Sequence, residues 1–111
     1  VSEDPALDRP FLDQMAEDLG SQNLAQALKV FLSDLHKRAD ALRHEKDDAD
    51  RLRKAAHAIK GSAASFGFKR LARLAEDLEV AARLGEIERF ADLKEALLCE
   101  AALAPEHISL V

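Results

Sequence analysis

Apolar residues recur every three or four positions along most of this 111-residue chain, which is the spacing of one buried face of an α-helix. A short helix is expected first, capped by Asp8, with Pro10 in its first turn and an end at Gly20. Ser21 is the predicted N-cap of a long second helix. The apolar stripe of that helix consists of Leu24, Leu28, Phe31, Leu32, Leu35, Ala39 and Leu42. Its nearly heptad spacing is typical of helices that pack side by side in a bundle.

Three further helices are predicted downstream, over about residues 49–66, 69–84 and 88–104. Asp48 or Asp47 can cap the first of them. The signals that end the three helices are, in turn, Gly67, Gly85 and Pro105. The expected fold is therefore all-α, an antiparallel up-down four-helix bundle with a short additional N-terminal helix. We expect a single domain over residues 1–111, with the bundle core at about 21–104.

Composition restricts the class of protein further. Ala and Leu supply most of the apolar content, and aromatic residues make up only 5% of the chain, which favours closely packed helices over a sheet. No apolar run reaches the ~18 residues needed to span a membrane. The first residues, Val1 to Pro5, lack the basic and apolar segments of a signal peptide. Because the single cysteine, Cys99, also fits a reducing compartment, a cytoplasmic location is predicted.

Charge is distributed unevenly along the chain, whose formal net charge is −5. Residues 51–75 hold seven basic side chains and no acidic one. These are Arg51, Arg53, Lys54, Lys60, Lys69, Arg70 and Arg73. A local basic stretch on an acidic protein argues against general nucleic-acid binding and favours one anionic docking partner or a phosphate. The alternative is an ordinary solvated charged face.

His57 lies in the middle of this basic stretch, inside a run that otherwise predicts helix. At about 100° per residue, Lys60, Gly61 and Ala64 share its face, whereas Leu52 and Ile59 lie on the opposite, apolar face. The imidazole is therefore expected to point toward solvent or a partner. Glycine inside a helix costs about 1 kcal/mol relative to alanine. We interpret Gly61 as leaving room beside a nucleophile that takes up a phosphoryl group.

The run His57-Ala58-Ile59-Lys60-Gly61-Ser62-Ala63, followed by Gly67, resembles the histidine-containing phosphotransfer (HPt) domain of two-component phosphorelays. The resemblance covers roughly residues 20–104 in layout, and its specific part is residues 52–79. It implies the same helical bundle, with His57 as the phosphorylated nucleophile. In that family an amide or carboxylate on the following helix often orients the imidazole. Glu79 stands at the matching position, with Glu76 as the alternative, although Glu79 could equally be an ordinary surface glutamate.

The remaining site residues follow from the same picture. Lys60 would balance charge on the phosphoryl oxygens, and Gly61 would give steric access. A partner-docking surface is expected around them, made of Phe11, Leu12, Arg53, Lys54, Ala64, Lys69 and Arg70. Phe11 and Leu12 are included because a short leading helix cannot bury both. No metal site is predicted, since no two histidines have ligand spacing with a carboxylate.

The function expected from the resemblance is relay of a phosphoryl group between receiver-domain aspartates through phospho-His57. The chain shows no glycine-rich ATP-binding motif, so no kinase activity of its own and no cofactor are expected. The partner receiver would supply Mg²⁺ and most of the chemistry. Expected partners are response-regulator receiver domains and an upstream hybrid histidine kinase, with no nucleic acid and no membrane, and the protein is expected to be a monomer.

Two alternatives remain open from the sequence. One is an excised phospho-acceptor domain of a hybrid or chemotaxis-type histidine kinase, although the absence of linker sequence at either end favours a stand-alone protein. The other is a non-catalytic helical adaptor, against which the intact His57, Lys60 and Gly61 count.

Overall fold

The structure is a computed structural model that describes residues 4–46 and 48–109. Its helices are α1 (Arg9–Leu19), α2 (Ser21–His44), α3 (Ala49–Ser65), α4 (Lys69–Leu84) and α5 (Phe90–Ser109), with a 3₁₀ turn at Ile87–Arg89. Because each of α2 to α5 packs on the helix before it, and α5 packs back on α2, the four close into a bundle with α1 against α2. The all-α prediction is confirmed. No helix in the described ranges is long and apolar enough to cross a lipid bilayer.

The predicted apolar stripe of α2 forms one wall of the core. Leu24, Leu28, Phe31, Leu35, Ala39 and Leu42 are all buried, and Leu32 is half-buried beside them. They face buried leucines and phenylalanines of the other helices, including Leu52, Leu71, Leu78, Phe90 and Leu97. This row shows that the 3–4 spacing along the sequence was set by burial inside the bundle.

Alanines line the contact between α3 and α4, the most extensive helix pair of the bundle. Ala56 and Ala63 of α3 are completely buried, as is Ala75 of α4. Side chains this small let two helix backbones approach closely, so that long polar side chains at the edge of the contact can reach across it. His57 follows Ala56 directly, and the helical turn of about 100° per residue directs it away from the core.

The turn between α3 and α4 is tied to the chain that precedes α1. The backbone N–H of Asp8 donates to the carbonyl oxygen of Gly67 at 2.8 Å, and the N–H of Arg70 donates to the carbonyl of Pro5 at 3.1 Å. Gly67 has a φ of +75°, in the left-handed region that favours glycine. We call residues 5–8 the leading strap, because these bonds hold α1 against the end of the α3–α4 pair.

The helix starts agree only partly with the sequence predictions. Asp8 and Asp48 cap α1 and α3 as predicted, since each side chain accepts a backbone hydrogen bond at 3.1 Å from the residue three positions later. Asp47, the alternative cap, lies outside the described residues. The prediction that Ser21 is the N-cap of α2 is wrong, because Ser21 is already the first helical residue and Gly20 takes the cap position without a side-chain bond.

The predicted end of the last helix is also wrong. Pro105 lies inside α5, which continues to Ser109. A proline removes one backbone N–H and normally breaks a helix, but here later contacts stabilise the extra turn. His107 Nε2 lies 2.9 Å from Oε2 of the buried Glu100, and Ile108 packs against the core. Tertiary contacts therefore outweigh the local helix-breaking effect of the proline.

Two glycines provide a matched test of this packing. A Cβ at Gly67 would lie 3.0 Å from the Phe11 ring, whereas a Cβ at Gly61 would meet nothing within 4 Å. Gly67→Ala should therefore lower the free energy of unfolding by about 1–2 kcal/mol from its backbone conformation alone. Gly61→Ala should raise it by about 1 kcal/mol. Urea denaturation of both variants measures the difference, and equal effects of the same sign would contradict it.

Candidate phosphoacceptor site

His57 is presented to solvent near the middle of α3, with 68% of its side chain exposed. Its neighbours along the helix, Ala56 and Ile59, are buried, as the sequence pattern predicted. One turn further on, Gly61 is exposed and leaves open space where a side chain would begin. The face of α3 around the imidazole is thus sterically open on the side of Gly61.

Glu79 of α4 joins His57 to Lys60. Its Oε2 lies 2.7 Å from Nδ1 of His57, and its Oε1 lies 2.6 Å from Nζ of Lys60. Only 12% of the Glu79 side chain is exposed, so the carboxylate is held largely out of water between the two helices. The structure therefore gives Glu79 the position beside the imidazole that the resemblance implied. Glu76, the alternative, is exposed one turn earlier on α4.

The Lys60 ammonium, hydrogen-bonded to the Glu79 carboxylate, is the main reason that the pKa of Glu79 lies below its ordinary value of 4.5. Partial burial acts in the opposite direction, and the hydrogen bond with His57 adds to the lowering of this pKa. Glu79 is therefore an ionised acceptor at neutral pH. An ionised carboxylate only accepts hydrogen bonds, so Nδ1 of His57 must carry the proton that is shared with it.

This hydrogen bond selects one tautomer of the neutral imidazole. With the proton on Nδ1, the lone pair resides on Nε2, the nitrogen on the far side of the ring from Glu79. The histidine needs no separate base to become nucleophilic. The contact fixes the orientation of the ring as well, in the way that a carboxylate holds the histidine of a hydrolase triad. The arrangement is suited to attack by Nε2 on an electrophile approaching from solvent.

A groove of about 560 Å³ lies beside the site, between α1, α3 and α4. Its lining includes the small residues Ala64, Gly67 and Ala72, the ring of Phe11, and Lys60 at the end nearest the site. Phe11 is 41% exposed, which places a large apolar surface in this groove. Two of the predicted docking residues, Phe11 and Ala64, thus line one groove together with Lys60.

Leu12 does not belong to this surface. It is only 3% exposed and packs in the core. One residue along a helix turns the side chain by about 100°, so α1 cannot expose Phe11 and Leu12 on the same side. The prediction that Leu12 docks a partner is therefore wrong, and Phe11 alone represents α1 in the groove.

The basic stretch is not a free cationic surface. Each of its seven cations has a carboxylate oxygen within 4.0 Å. The pairs are Arg51–Glu45, Arg53–Asp50, Lys54–Asp50, Lys60–Glu79, Lys69–Asp8, Arg70–Glu100 and Arg73–Asp77. Counting charges within residues 51–75 alone therefore overestimated the positive charge of this surface, because all of the acidic partners lie outside that stretch.

Asp50 was the partner that sequence reasoning should have found. It precedes Arg53 and Lys54 by three and four residues, the spacing at which opposite charges meet on a helix. Its carboxylate lies 3.0 Å and 3.2 Å from them, and their hydrogen bonds, chiefly that of Arg53, lower the pKa of Asp50. Arg70 is occupied differently, since its guanidinium faces the buried Glu100 of α5 at 3.8 Å.

Among the described residues, no three His, Cys, Asp or Glu side chains gather closely enough to hold a metal ion.

Comparison with known proteins identifies the family. Residues 9–104 match the model of the Hpt domain. The chain belongs to the Hpt domain family. This Hpt domain is 33% identical over 78 residues to phosphorelay protein LuxU of Vibrio cholerae, covering 68% of this chain and 69% of that protein. It also superimposes on the crystal structure of histidine-containing phosphotransfer protein B (HptB) of Pseudomonas aeruginosa with a TM-score of 0.83 and 31% identity, over 90% of this chain and 88% of the other.

These likenesses confirm the family and the helical-bundle fold predicted from the sequence. The predicted class of function, a histidine phosphotransfer protein in a phosphorelay, is confirmed too. The roles of the individual site residues stay predictions, and they are argued below from the geometry.

The Glu79 contacts should make stability depend on pH. Because the pKa of Glu79 is lowered by folding, its contacts stabilise the protein above about pH 4.5 and are lost as the pH falls through the lower, folded-state value. Glu79→Gln should unfold with about 1 kcal/mol less free energy at neutral pH. The difference from the parent protein should shrink as the pH falls below about 4.5. Urea denaturation over a pH series measures it.

Glu95→Gln on α5 is the matched control, since Glu95 is exposed and has no ion pair among the described residues. It should show no comparable pH-dependent loss. A Glu79→Gln difference that stays constant down to acid pH would contradict the carboxylate's stabilising role.

Proposed function

We propose that His57 carries the phosphoryl group of a phosphorelay and exchanges it with aspartates of receiver domains. The observation that supports this is the contact of Glu79 with Nδ1 of His57 at 2.7 Å, which in the neutral ring places the lone pair on Nε2, on the side away from Glu79. The family membership supplies the class of reaction. A non-catalytic adaptor would have no use for an imidazole that is both exposed and oriented by a shielded carboxylate.

In the loading step, the lone pair of Nε2 attacks the phosphorus of an aspartyl phosphate. The N–P bond forms while the P–O bond to the aspartate breaks, and the aspartate leaves as a free carboxylate. The proton on Nδ1 stays in place. The phosphorylated ring then carries a positive charge that the Glu79 carboxylate balances. Unloading onto a second receiver reverses these bond changes.

Lys60 contributes charge at the edge of the site. In the structure its ammonium is bound to Glu79 at 2.6 Å, and the side chain remains partly exposed. It can therefore contribute in two ways, by holding Glu79 in its anionic form and by adding positive potential where the phosphoryl oxygens accumulate charge. Gly61 leaves the space through which the donor aspartate approaches.

The groove beside Lys60 is the proposed docking surface for the receivers and the upstream hybrid kinase. Phe11 and Ala64 supply apolar contact there, with the paired cations Lys69 and Arg73 in its lining. The receiver is expected to bring Mg²⁺ and most of the catalytic groups, so this chain provides an oriented nucleophile and a place to bind. A monomer in the cytoplasm remains the expected form.

His57 should be the only phosphorylation site. His57→Gln should keep the fold, because the side chain is exposed, yet take up no label from a phosphorylated receiver or from phosphoramidate, a small donor that phosphorylates imidazoles. The label on the parent protein should be labile to acid and stable to base, as an N–P bond is. Denaturing electrophoresis of the radiolabelled protein gives the measurement.

His44→Gln is the matched control. Like His57, His44 is exposed and has a carboxylate nearby, but it lies on α2, outside the site. It should label like the parent protein. Label that persists on His57→Gln would transfer the assignment to another histidine.

Access beside the imidazole should depend on the size of residue 61. Gly61→Gln places a flexible amide one turn from His57 and should slow phosphotransfer by about 10- to 100-fold, because small displacements of the reacting atoms are costly. Gly61→Ala should slow it much less, since its Cβ meets nothing within 4 Å. Rapid-quench kinetics with a phosphorylated receiver compare the two. Equal rates for both variants would show that access is not the role of this glycine.

A further inference from the structure

The charges in the docking groove are almost all neutralised within the protein. The three cations of its lining are Lys60, Lys69 and Arg73. They pair with Glu79 at 2.6 Å, Asp8 at 3.3 Å and Asp77 at 3.3 Å. Glu76 lines the same groove, is exposed, and has no Lys, Arg or His nitrogen within 4.0 Å among the described residues. The charge left for a partner to meet in the groove is therefore negative.

Two cations that line the groove with Glu76, Arg73 and Lys60, bind other carboxylates. Arg73 precedes it by three residues on α4 and could pair with it, but its Nε instead binds Asp77, four residues further along. Lys60 reaches across from α3 and is held by the more buried carboxylate of Glu79. If one of these side chains turned to Glu76, Asp77 would lose its guanidinium partner or Glu79 would lose its ammonium partner.

Glu76 also lies close to the phosphoacceptor. It precedes Glu79 by three residues, which is about 4.5 Å along the axis of α4 and on a neighbouring part of its surface. It shares the groove with Phe11 and Ala64, the apolar residues against which a docked partner would rest. A receiver close enough to reach His57 must therefore approach the Glu76 carboxylate as well.

We propose that Glu76 selects among receiver domains by pairing with a lysine or arginine on the docked surface of the correct partner. This inference rests on the proposed function and adds the charge of the partner surface to it. A receiver that presents a basic side chain beside its apolar contact gains an ion pair with Glu76, which has no cationic partner among the described residues of this protein. One with an acidic side chain there meets like charge, and such repulsion discriminates between partners as effectively as attraction.

The test measures transfer from radiolabelled phospho-His57 to the purified receiver domains of the organism that encodes this chain. The parent protein is compared with Glu76→Lys and Glu76→Gln. For the preferred receiver, Glu76→Lys should lower the second-order transfer rate by about fivefold. This is the effect expected from losing an exposed ion pair at the upper end of the usual range. Glu76→Gln should have a smaller effect. Changing one lysine or arginine of that receiver to glutamate should then restore transfer with Glu76→Lys.

Glu95→Lys is the matched control, because it makes the same change of net charge on the α2–α5 side of the bundle, away from the groove. Equal slowing by Glu95→Lys and Glu76→Lys would overturn the inference in favour of a bulk charge effect. Failure of every charge reversal on the receiver to restore transfer would overturn it as well. If the parent protein takes up label at His57 but passes it to no receiver, the proposed relay itself fails, and this outcome is distinct from the other two.

Discussion

The contact between α3 and α4 determines where every group of the site stands. Buried alanines in both helices bring the two backbones together, and Glu79 can then span the gap to bind Nδ1 of His57 and Nζ of Lys60. A larger residue at Ala56 or Ala75 would push the helices apart, because neither position has free space in the core. The chemistry of an exposed histidine therefore depends on packing that lies directly beneath it.

Two shielded carboxylates of the protein, Glu79 and Glu100, each bind two partners. Glu79 of α4 binds Lys60 and His57, and Glu100 of α5 lies between Arg70 and His107. In both clusters a shielded carboxylate uses its two oxygens for two partners, which offsets the cost of removing it from water. The two clusters differ in the exposure of the histidine side chain, since His57 is mostly exposed and His107 is largely buried. Exposure of the ring, rather than the presence of a carboxylate, distinguishes the proposed nucleophile His57 from His107.

Local helix rules predicted several features of the fold from the sequence alone. Helical periodicity predicted the apolar stripe of α2 and the outward orientation of His57, and capping chemistry predicted the caps at Asp8 and Asp48.

The effect of Pro105 was misjudged because the contacts of His107 and Ile108, which stabilise the end of α5, are tertiary. The charge of the basic stretch was misjudged partly for the same reason, since Asp8, Glu79 and Glu100 reach it from other segments. It was misjudged also because the local helical pairs made by Asp50 and Asp77 were overlooked. Glu79 was found through family resemblance, because no helical rule places it beside a residue 22 positions earlier.

The leading strap supports one wall of the groove through bonds that lie outside the His57 site. Asp8 caps α1, binds the backbone of Gly67 and pairs with Lys69, so this one residue sets where the Phe11 ring lies in the groove. None of these bonds involves His57, Lys60 or Glu79. Any event that displaces residues 5–8 would remove an apolar wall of the proposed docking groove, whereas the contacts of Glu79 with His57 and Lys60 do not depend on these bonds. Part of the apolar docking surface proposed here therefore depends on residues 5–8, outside the stretch 57–79 that carries the proposed chemistry, and this part can change independently during evolution.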